Sequence, residues 1–393
     1  VTSLSSRHHG GAPLREGFTT GSAAAAAARA ATIFALTGER PASVDVPPPP
    51  PHPAETRIRV PVADILEEDL SVRAAVVKDA GDDPDATHGA RIEALVTVDP
   101  AFSGVGPHVL VGGGRGVGVA TLPGLPVAVG QAAINPGPME QIRQSVLEVL
   151  PEGFTGIVLV VVEAPDGEDI ARHTLNPRLG VAGGISILGT AGVVRPYSHE
   201  AWAECVRRSL DVARAAGHTC AALTTGRRSE RLFLERHPGT PAVCLVQAAD
   251  FFAEALCGAA QRGFATVVWC VFIGKLAKQA QGLANTHARA AALDFALLAD
   301  WARRAGADAS AVDAVAGANT AAQALALLPA GVASALAALL ADRAKQAARA
   351  FAGDALDVRY VVFGLDGGVL YADEVPQALF SAAAPLHLET KSR

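Results

Sequence analysis

The chain has 393 residues, half of them hydrophobic and 18% charged, with a formal net charge of -6 and a pI near 6.0. That is enough apolar material for two domains and too little charge for a disordered chain. The acidic balance excludes a general nucleic-acid binder, so an anionic ligand has to be met by local arginines.

Residues 1–10 lack the apolar core of a signal peptide. The alanine-rich stretch 22–36 is too short to span a membrane and carries Arg29, which predicts a helix of a soluble, cytoplasmic protein. The spacing 57–62, 72–79, 91–98, 108–111 and 157–163 predicts strands, each short, rich in Val and Ile and bounded by turn residues. A second helix is predicted over 138–150. Strands outnumber helices and do not alternate with them, which predicts an α+β domain with a mixed sheet over 1–195. The proline run 47–51 reads as a stiff surface loop.

From residue 198 the rhythm changes. Helices are predicted over 198–216, 229–236 and 251–262, and strands over 220–224, 242–247 and 265–272. This alternation predicts an α/β domain with parallel strands over 196–375, followed by a tail over 376–393. Further helices are expected over 275–284, 286–305, 311–328 and 332–351, and a last strand over 359–363. Cys205, Cys220, Cys244, Cys257 and Cys270 form no C-x-x-C pair, which predicts buried free thiols and neither a disulfide framework nor a metal site.

Two glycine-rich runs stand out. Residues 111–118 read VGGGRGVG and lead to Asn135 and Pro136, and residues 176–196 read NPRLGVAGGISILGTAGVVRP. Glycine is disfavoured inside strands and helices, so such runs mark either long turns or a floor against which a bulky ligand lies. Arg115, Arg178 and Arg195 add guanidinium forks that suit carboxylates. Residues 14–22, LREGFTTGS, precede the alanine-rich helix, where Thr19, Thr20 and Ser22 read as helix caps or as part of an anion site. Residues 78–89, KDAGDDPDATHG, crowd Asp82, Asp83 and Asp85 beside His88. Carboxylates this close need an offsetting charge, so the cluster reads as a base, a cation site or a holder of pyrrole N–H groups, against an Asp-Pro turn.

In the second half, TTGRR at 224–228 ends a strand and opens a helix, where α/β sheets bind nucleotides, but no G-x-G-x-x-G fingerprint is present. Asp250, just past the next strand, is placed to accept ribose hydroxyls or to cap a helix. GKLAK at 274–278 follows the third strand, where the helix expected over 275–284 begins. NTH at 285–287 is expected to open a long helix, whose positive end favours a neutral His287.

Taken in order, these motifs resemble the cobalt-precorrin-5B C1-methyltransferase family of cobalamin biosynthesis, from Leu14 to about Phe363. The resemblance implies transfer of a methyl group from S-adenosyl-L-methionine to ring carbon C-1 of a contracted tetrapyrrole, with a second domain of Rossmann-like α/β type. On that basis Asp82, Asp83 and His287 are candidates for a proton step. Arg15, Thr19, Thr20, Gly113, Gly114, Arg115, Asn135, Arg178 and Arg195 are candidates for the tetrapyrrole. Gly226, Asp250, Gly274 and Lys275 are candidates for the methyl donor. Hand-over to other corrin-pathway enzymes is implied, no nucleic acid or membrane partner is expected, and a homo-oligomer is left open. Two rivals remain at this point, a nicotinamide-dependent precorrin reductase and a tetrapyrrole carrier without catalysis. The chain departs from the family at Met139, where an arginine is usual and Arg143 is the substitute, at Ala23, where a cysteine is common, and at Ala249, where a glycine precedes the Asp-Phe pair.

Overall fold

A computed structural model describes residues 13–53, 55–102, 106–288, 290 and 292–380. The amino-terminal stretch 1–10 and most of the expected tail lie outside these residues. The chain divides into two compact units, Val1–His199 and Glu200–Arg393.

The first unit is built on a five-stranded sheet in the spatial order Asp64–Glu68, Ser71–Val77, Arg91–Asp99, Ile157–Glu163, His108–Gly113. The first four strands pair antiparallel and the last pair is parallel. A parallel pair needs a long crossover, which here carries helix Pro136–Leu147. Alternation sets the core face: Val72, Ala74 and Val76, Ile92, Ala94 and Val96, and Val158, Val160 and Val162 all point into one cluster. Against that face lies helix Thr20–Thr37, in which Ala23 to Ala28 are fully buried. A helix buried all round has neighbours on every side, here the sheet, helix Pro136–Leu147 and strand Ser43–Val46. Thr19 caps its start by accepting from Ser22 N, and Gly38, at φ 74°, ends it.

Two first-unit expectations change. Pro47, Pro48 and Pro49 are buried, and the Pro47 carbonyl accepts from Gln141 Nε2 at 2.8 Å, so only Pro50 and Pro51 of the run lie at the surface. Strands Ser43–Val46 and Asp64–Glu68 were not expected, the latter because three of its five residues are acidic.

The second unit holds a sheet in the order Leu245–Gln247, Cys220–Thr224, Thr266–Phe272, Asp357–Phe363, Val369–Ala372. The first four strands are parallel and the last is antiparallel. Cys220–Thr224 is buried along its whole length, as strands covered on both faces are, and two apolar clusters flank the sheet. Leu379 is fully buried in the second cluster, so residues 376–380 pack with the unit and are not a free tail.

Two predicted helices are redrawn. The helix expected over 286–305 begins only at Phe295, with Asp294 as its cap. The helix expected over 311–328 breaks into Ala309–Ala316 and Ala321–Ala326, the second capped by Thr320. All five cysteines are free. Cys220, Cys244 and Cys270 are buried, Cys257 is partly buried and Cys205 is exposed, which corrects the expectation for the last two. Burial pushes the Cys244 thiol up to about 12 and disqualifies it as a nucleophile.

Candidate functional site

The acidic loop of the first unit leaves strand Ser71–Val77 at Lys78 and returns at Gly89, whose N–H donates to the Lys78 carbonyl at 2.8 Å. Its carboxylates each have a partner within the chain. Asp85 Oδ2 lies 2.7 Å from Lys78 Nζ, and its Oδ1 accepts from Thr87 N and Thr87 Oγ1, both at 2.8 Å. Burial works to raise the Asp85 pKa, but the Lys78 ammonium and the Thr87 donors outweigh it and hold the carboxyl below its usual range. Asp82 Oδ2 accepts from Arg15 N at 2.7 Å, and Asp83 Oδ1 accepts from Tyr197 N at 2.8 Å. Arg15 itself forms a two-pronged pair with Asp79, whose hydrogen bonds hold the Asp79 carboxyl low. The charge offset expected of a ligand is therefore supplied largely by the chain. Among the described residues no group of three or more His, Cys, Asp or Glu is arranged to hold a metal ion.

The glycine runs differ from a bare floor. A Cβ on Gly113 would meet Ala132 Cβ at 2.7 Å and one on Gly114 would meet the Glu163 side chain at 2.8 Å. At Gly116, which has φ 72°, it would fall 1.8 Å from the Ala164 carbonyl oxygen. One on Gly184 would fall 2.0 Å from the Gly116 carbonyl oxygen. The two runs thus pack on each other, backbone to backbone, which corrects the expectation that Gly113 and Gly114 leave open space for a ligand. Gly112 and Gly183 do have open space beside them. The first run passes from strand His108–Gly113 to strand Val119–Ala120 without opening a helix, so the nicotinamide fingerprint has no structural context.

The start of the alanine helix is likewise spoken for. Gly21 N donates to the Leu188 carbonyl, Ser22 N to Thr19 Oγ1 and Ala23 N to the Thr19 carbonyl. Thr20 Oγ1 accepts from Leu188 N at 2.9 Å. Thr19 and Thr20 are both buried, so these groups join the helix to residues 186–192 and form no open anion site. Asn135 differs: it precedes helix Pro136–Leu147, yet its side chain makes no capping bond. Arg195 pairs with Glu16 at 3.3 Å, Arg178 is half-buried, and Arg115 is exposed with no ion pair among the described residues. Met139 packs against the apolar core, and Arg143 lies 4.0 Å from Glu140.

In the second unit the strand order reverses beside Cys220–Thr224, whose neighbours are the next strand in sequence on one side and Thr266–Phe272 on the other. Open α/β sheets take ligands at the carboxyl ends of the strands at such a point. There the structure gathers Gly226, Asp250 and Lys275. Lys275 Nζ lies 3.1 Å from Asp250 Oδ1 and 3.4 Å from the Thr225 carbonyl oxygen. Thr286 Oγ1 donates to the same Asp250 Oδ1 at 2.8 Å. Gly226, at φ 152°, and Gly274 both have empty space where a side chain would be. Helix Ile273–Ala280 starts directly after the strand, two residues ahead of the helix expected over 275–284, so Gly274 and Lys275 occupy its first turn.

His287 is exposed and lies ahead of any helix, its N–H donating to Asn285 Oδ1 at 2.9 Å. The helix-end argument for a neutral imidazole therefore falls. Ala249, where the resembling family has glycine, sits at φ 49°, a left-handed conformation that explains the glycine. Sequence reasoning missed Lys78, Thr286 and the buried Glu230, which accepts from Gln247 Nε2 at 3.2 Å behind the crevice. The available signal for Lys78 was parity: Val72, Ala74 and Val76 face inward, and position 78 is next in that series.

Comparison with known proteins follows the same division. The CbiD family model matches residues 7–196, and the model of the CbiD C-terminal domain matches residues 285–374. A cobalt-precorrin-5B C(1)-methyltransferase of Nitratidesulfovibrio vulgaris is 53% identical over 361 residues, covering 91% of this chain and 92% of the relative. One of the same name from Geobacillus kaustophilus is 45% identical, covering 79% and 81%. A crystal structure of a cobalamin biosynthesis protein (cbiD) from Archaeoglobus fulgidus matches at 30% identity with a TM-score of 0.36, covering 67% of this chain and 79% of that one. The chain belongs to the CbiD family, the family of these methyltransferases.

Proposed function

We propose that this chain methylates C-1 of cobalt-precorrin-5B to give cobalt-precorrin-6A, with S-adenosyl-L-methionine as methyl donor and S-adenosylhomocysteine as second product. The observation that carries this reading is the 53% identity, which runs through both units with a methyltransferase of that name. The second unit is read as Rossmann-like on its strand order and its four parallel strands. Its crevice suits the donor: Asp250 offers a carboxylate to the ribose hydroxyls, and Gly226 and Gly274 leave room for a ligand against the backbone.

When bound, S-adenosyl-L-methionine supplies an electrophilic methyl group on a sulfonium. The acceptor carbon gives the electron pair of the new C–C bond, and the sulfur keeps the pair of the bond that breaks. The residues of the chain then have to align the two and keep water out. Lys275 and Thr286 hold Asp250 in one orientation, so the acid meets the donor without reorganising. Arg115, Arg178 and Arg195 are assigned to the acetate and propionate groups of the tetrapyrrole. Arg15 and Asn135 are assigned the same role, while Thr19, Thr20, Gly113 and Gly114 support it by fixing the backbone. Asp82, Asp83 and His287 are the candidates for the proton released from the ring, the first two in the first unit and the third in the second.

The test is an anaerobic incubation with S-adenosyl-L-methionine and the precorrin-5 substrate, with and without cobalt, read by mass spectrometry. A macrocycle one methyl heavier with an equal amount of S-adenosylhomocysteine supports the reading. A folded protein that binds the macrocycle and transfers nothing overturns it.

A further inference from the structure

Between helices Ile273–Ala280 and Phe295–Arg304 the described residues form neither helix nor strand, yet they are pinned at two levels. At its base Gln281 Nε2 donates to the Asp294 carbonyl at 2.8 Å, while Asp294 N donates to Gln281 Oε1 at 3.0 Å. Further along, Thr286 clamps Asp250 twice: its N–H donates to the Asp250 carbonyl at 2.9 Å and its hydroxyl to Asp250 Oδ1 at 2.8 Å. Lys278 Nζ holds the Thr286 carbonyl at 3.1 Å. The next N–H, that of His287, is held by Asn285 Oδ1.

Irregular segments are ordinarily the loosest part of a fold. Here Thr286 is 3% exposed and the residue after it is exposed. The result is a fixed perch for an imidazole, tied to the acid of the donor crevice by the hydroxyl and the N–H of Thr286.

We infer that Thr286 is a positioning residue: it joins the donor-binding acid Asp250 to the backbone that presents His287, so that donor binding and placement of the imidazole are coupled. The inference rests on the donor site proposed above. Thr286 touches no reacting atom. Its hydroxyl proton goes to Asp250 Oδ1, beside the Lys275 ammonium, and the second Asp250 oxygen takes neither of these bonds. The same carboxylate can therefore hold Thr286 on one oxygen and a ribose hydroxyl on the other.

The experiment is a double-mutant cycle on the full chain. Wild type, Thr286→Val, His287→Ala and the double variant are compared by single-turnover methyl transfer, with the Kd of S-adenosyl-L-methionine measured by calorimetry. Thr286→Val keeps the side-chain shape and removes the hydroxyl. It is expected to slow transfer about tenfold and to weaken donor binding, with the double variant no slower than His287→Ala alone. Thr286→Ser restores the hydroxyl and is expected to recover most of the rate. Asn285→Ala, which frees the His287 N–H without touching Asp250, is a second route should Thr286→Val fold poorly, and is expected to show the same non-additivity with His287→Ala.

Rate losses that multiply in both cycles overturn the inference and leave the donor site standing. A His287→Ala variant with full rate, or a wild-type protein that binds no S-adenosyl-L-methionine, overturns the reading beneath it and the inference with it.

Discussion

The ammonium of Lys78 lies 2.7 Å from Asp85 Oδ2 with its side chain 1% exposed, which makes the acidic loop of the first unit the cover of a buried ion pair. Lys78→Met leaves a partly buried Asp85 without its cation, and a loss of about 3 kcal/mol is expected at neutral pH. Asp85 has a folded pKa held below its unfolded value of about 3.9, so the contribution of the pair is complete above that value and is lost as pH falls through the folded pKa. The deficit of Lys78→Met should therefore shrink in acid. Urea unfolding of both proteins at neutral pH and below pH ~4 checks this.

Ala249 occupies φ 49°, where an L-residue is strained and glycine is not. Ala249→Gly is expected to stabilise the second unit by about 1 kcal/mol, a rise in Tm of about 2–4 °C. Calorimetry gives the value, and an unchanged or lower Tm would show that the backbone has relaxed around alanine.

Neighbouring glycines of one run should respond differently. Gly116→Ala would set a Cβ 1.8 Å from the Ala164 carbonyl oxygen, whereas Gly112→Ala meets nothing within 4 Å. The first is expected to cost more than about 3 kcal/mol and the second less than about 1 kcal/mol. Equal losses in denaturant unfolding would refute the close approach of Gly116 to the Ala164 carbonyl.

Asp250→Asn keeps the shape of the acid but removes its charge, leaving Lys275 without its ion-pair partner. Binding of S-adenosyl-L-methionine is expected to weaken about tenfold, or about 1.4 kcal/mol, with tetrapyrrole binding unchanged. Titration calorimetry with each ligand separates the two.

Arg115 is exposed and carries no ion pair among the described residues, so its removal leaves no buried charge behind. Arg115→Ala is expected to leave Tm unchanged and to raise KM for the tetrapyrrole about tenfold. Arg115→Lys should recover only part of this, because an ammonium cannot offer the paired donors of a guanidinium.

Where a short apolar run is bounded by turn residues, the sequence was a good guide. Strand 220–224 coincides with Cys220–Thr224, and 157–163 with Ile157–Glu163. Long-range partners were harder to read. Alanine-rich composition made 286–294 look helical, although Asp294 carries a clear capping signal and the stretch is held by Gln281 and Asp250. Composition also cannot tell Gly112 from Gly116, since only the fold brings the Ala164 carbonyl against one of them. The gathering of Gly226, Asp250 and Lys275 followed from strand ends, which the alternation of helix and strand did reveal. The clamp by Thr286 did not, because it joins residues 36 apart.

The fully buried methyl groups of Ala24 to Ala28 set the distance between the helix and its surroundings. Each added methylene would wedge those layers apart at a cost of about 1–3 kcal/mol. A tract that looks like low-complexity filler is thus among the least substitutable parts of the first unit. Sequence drift in this protein should spare its plainest stretch and accumulate in its more varied ones.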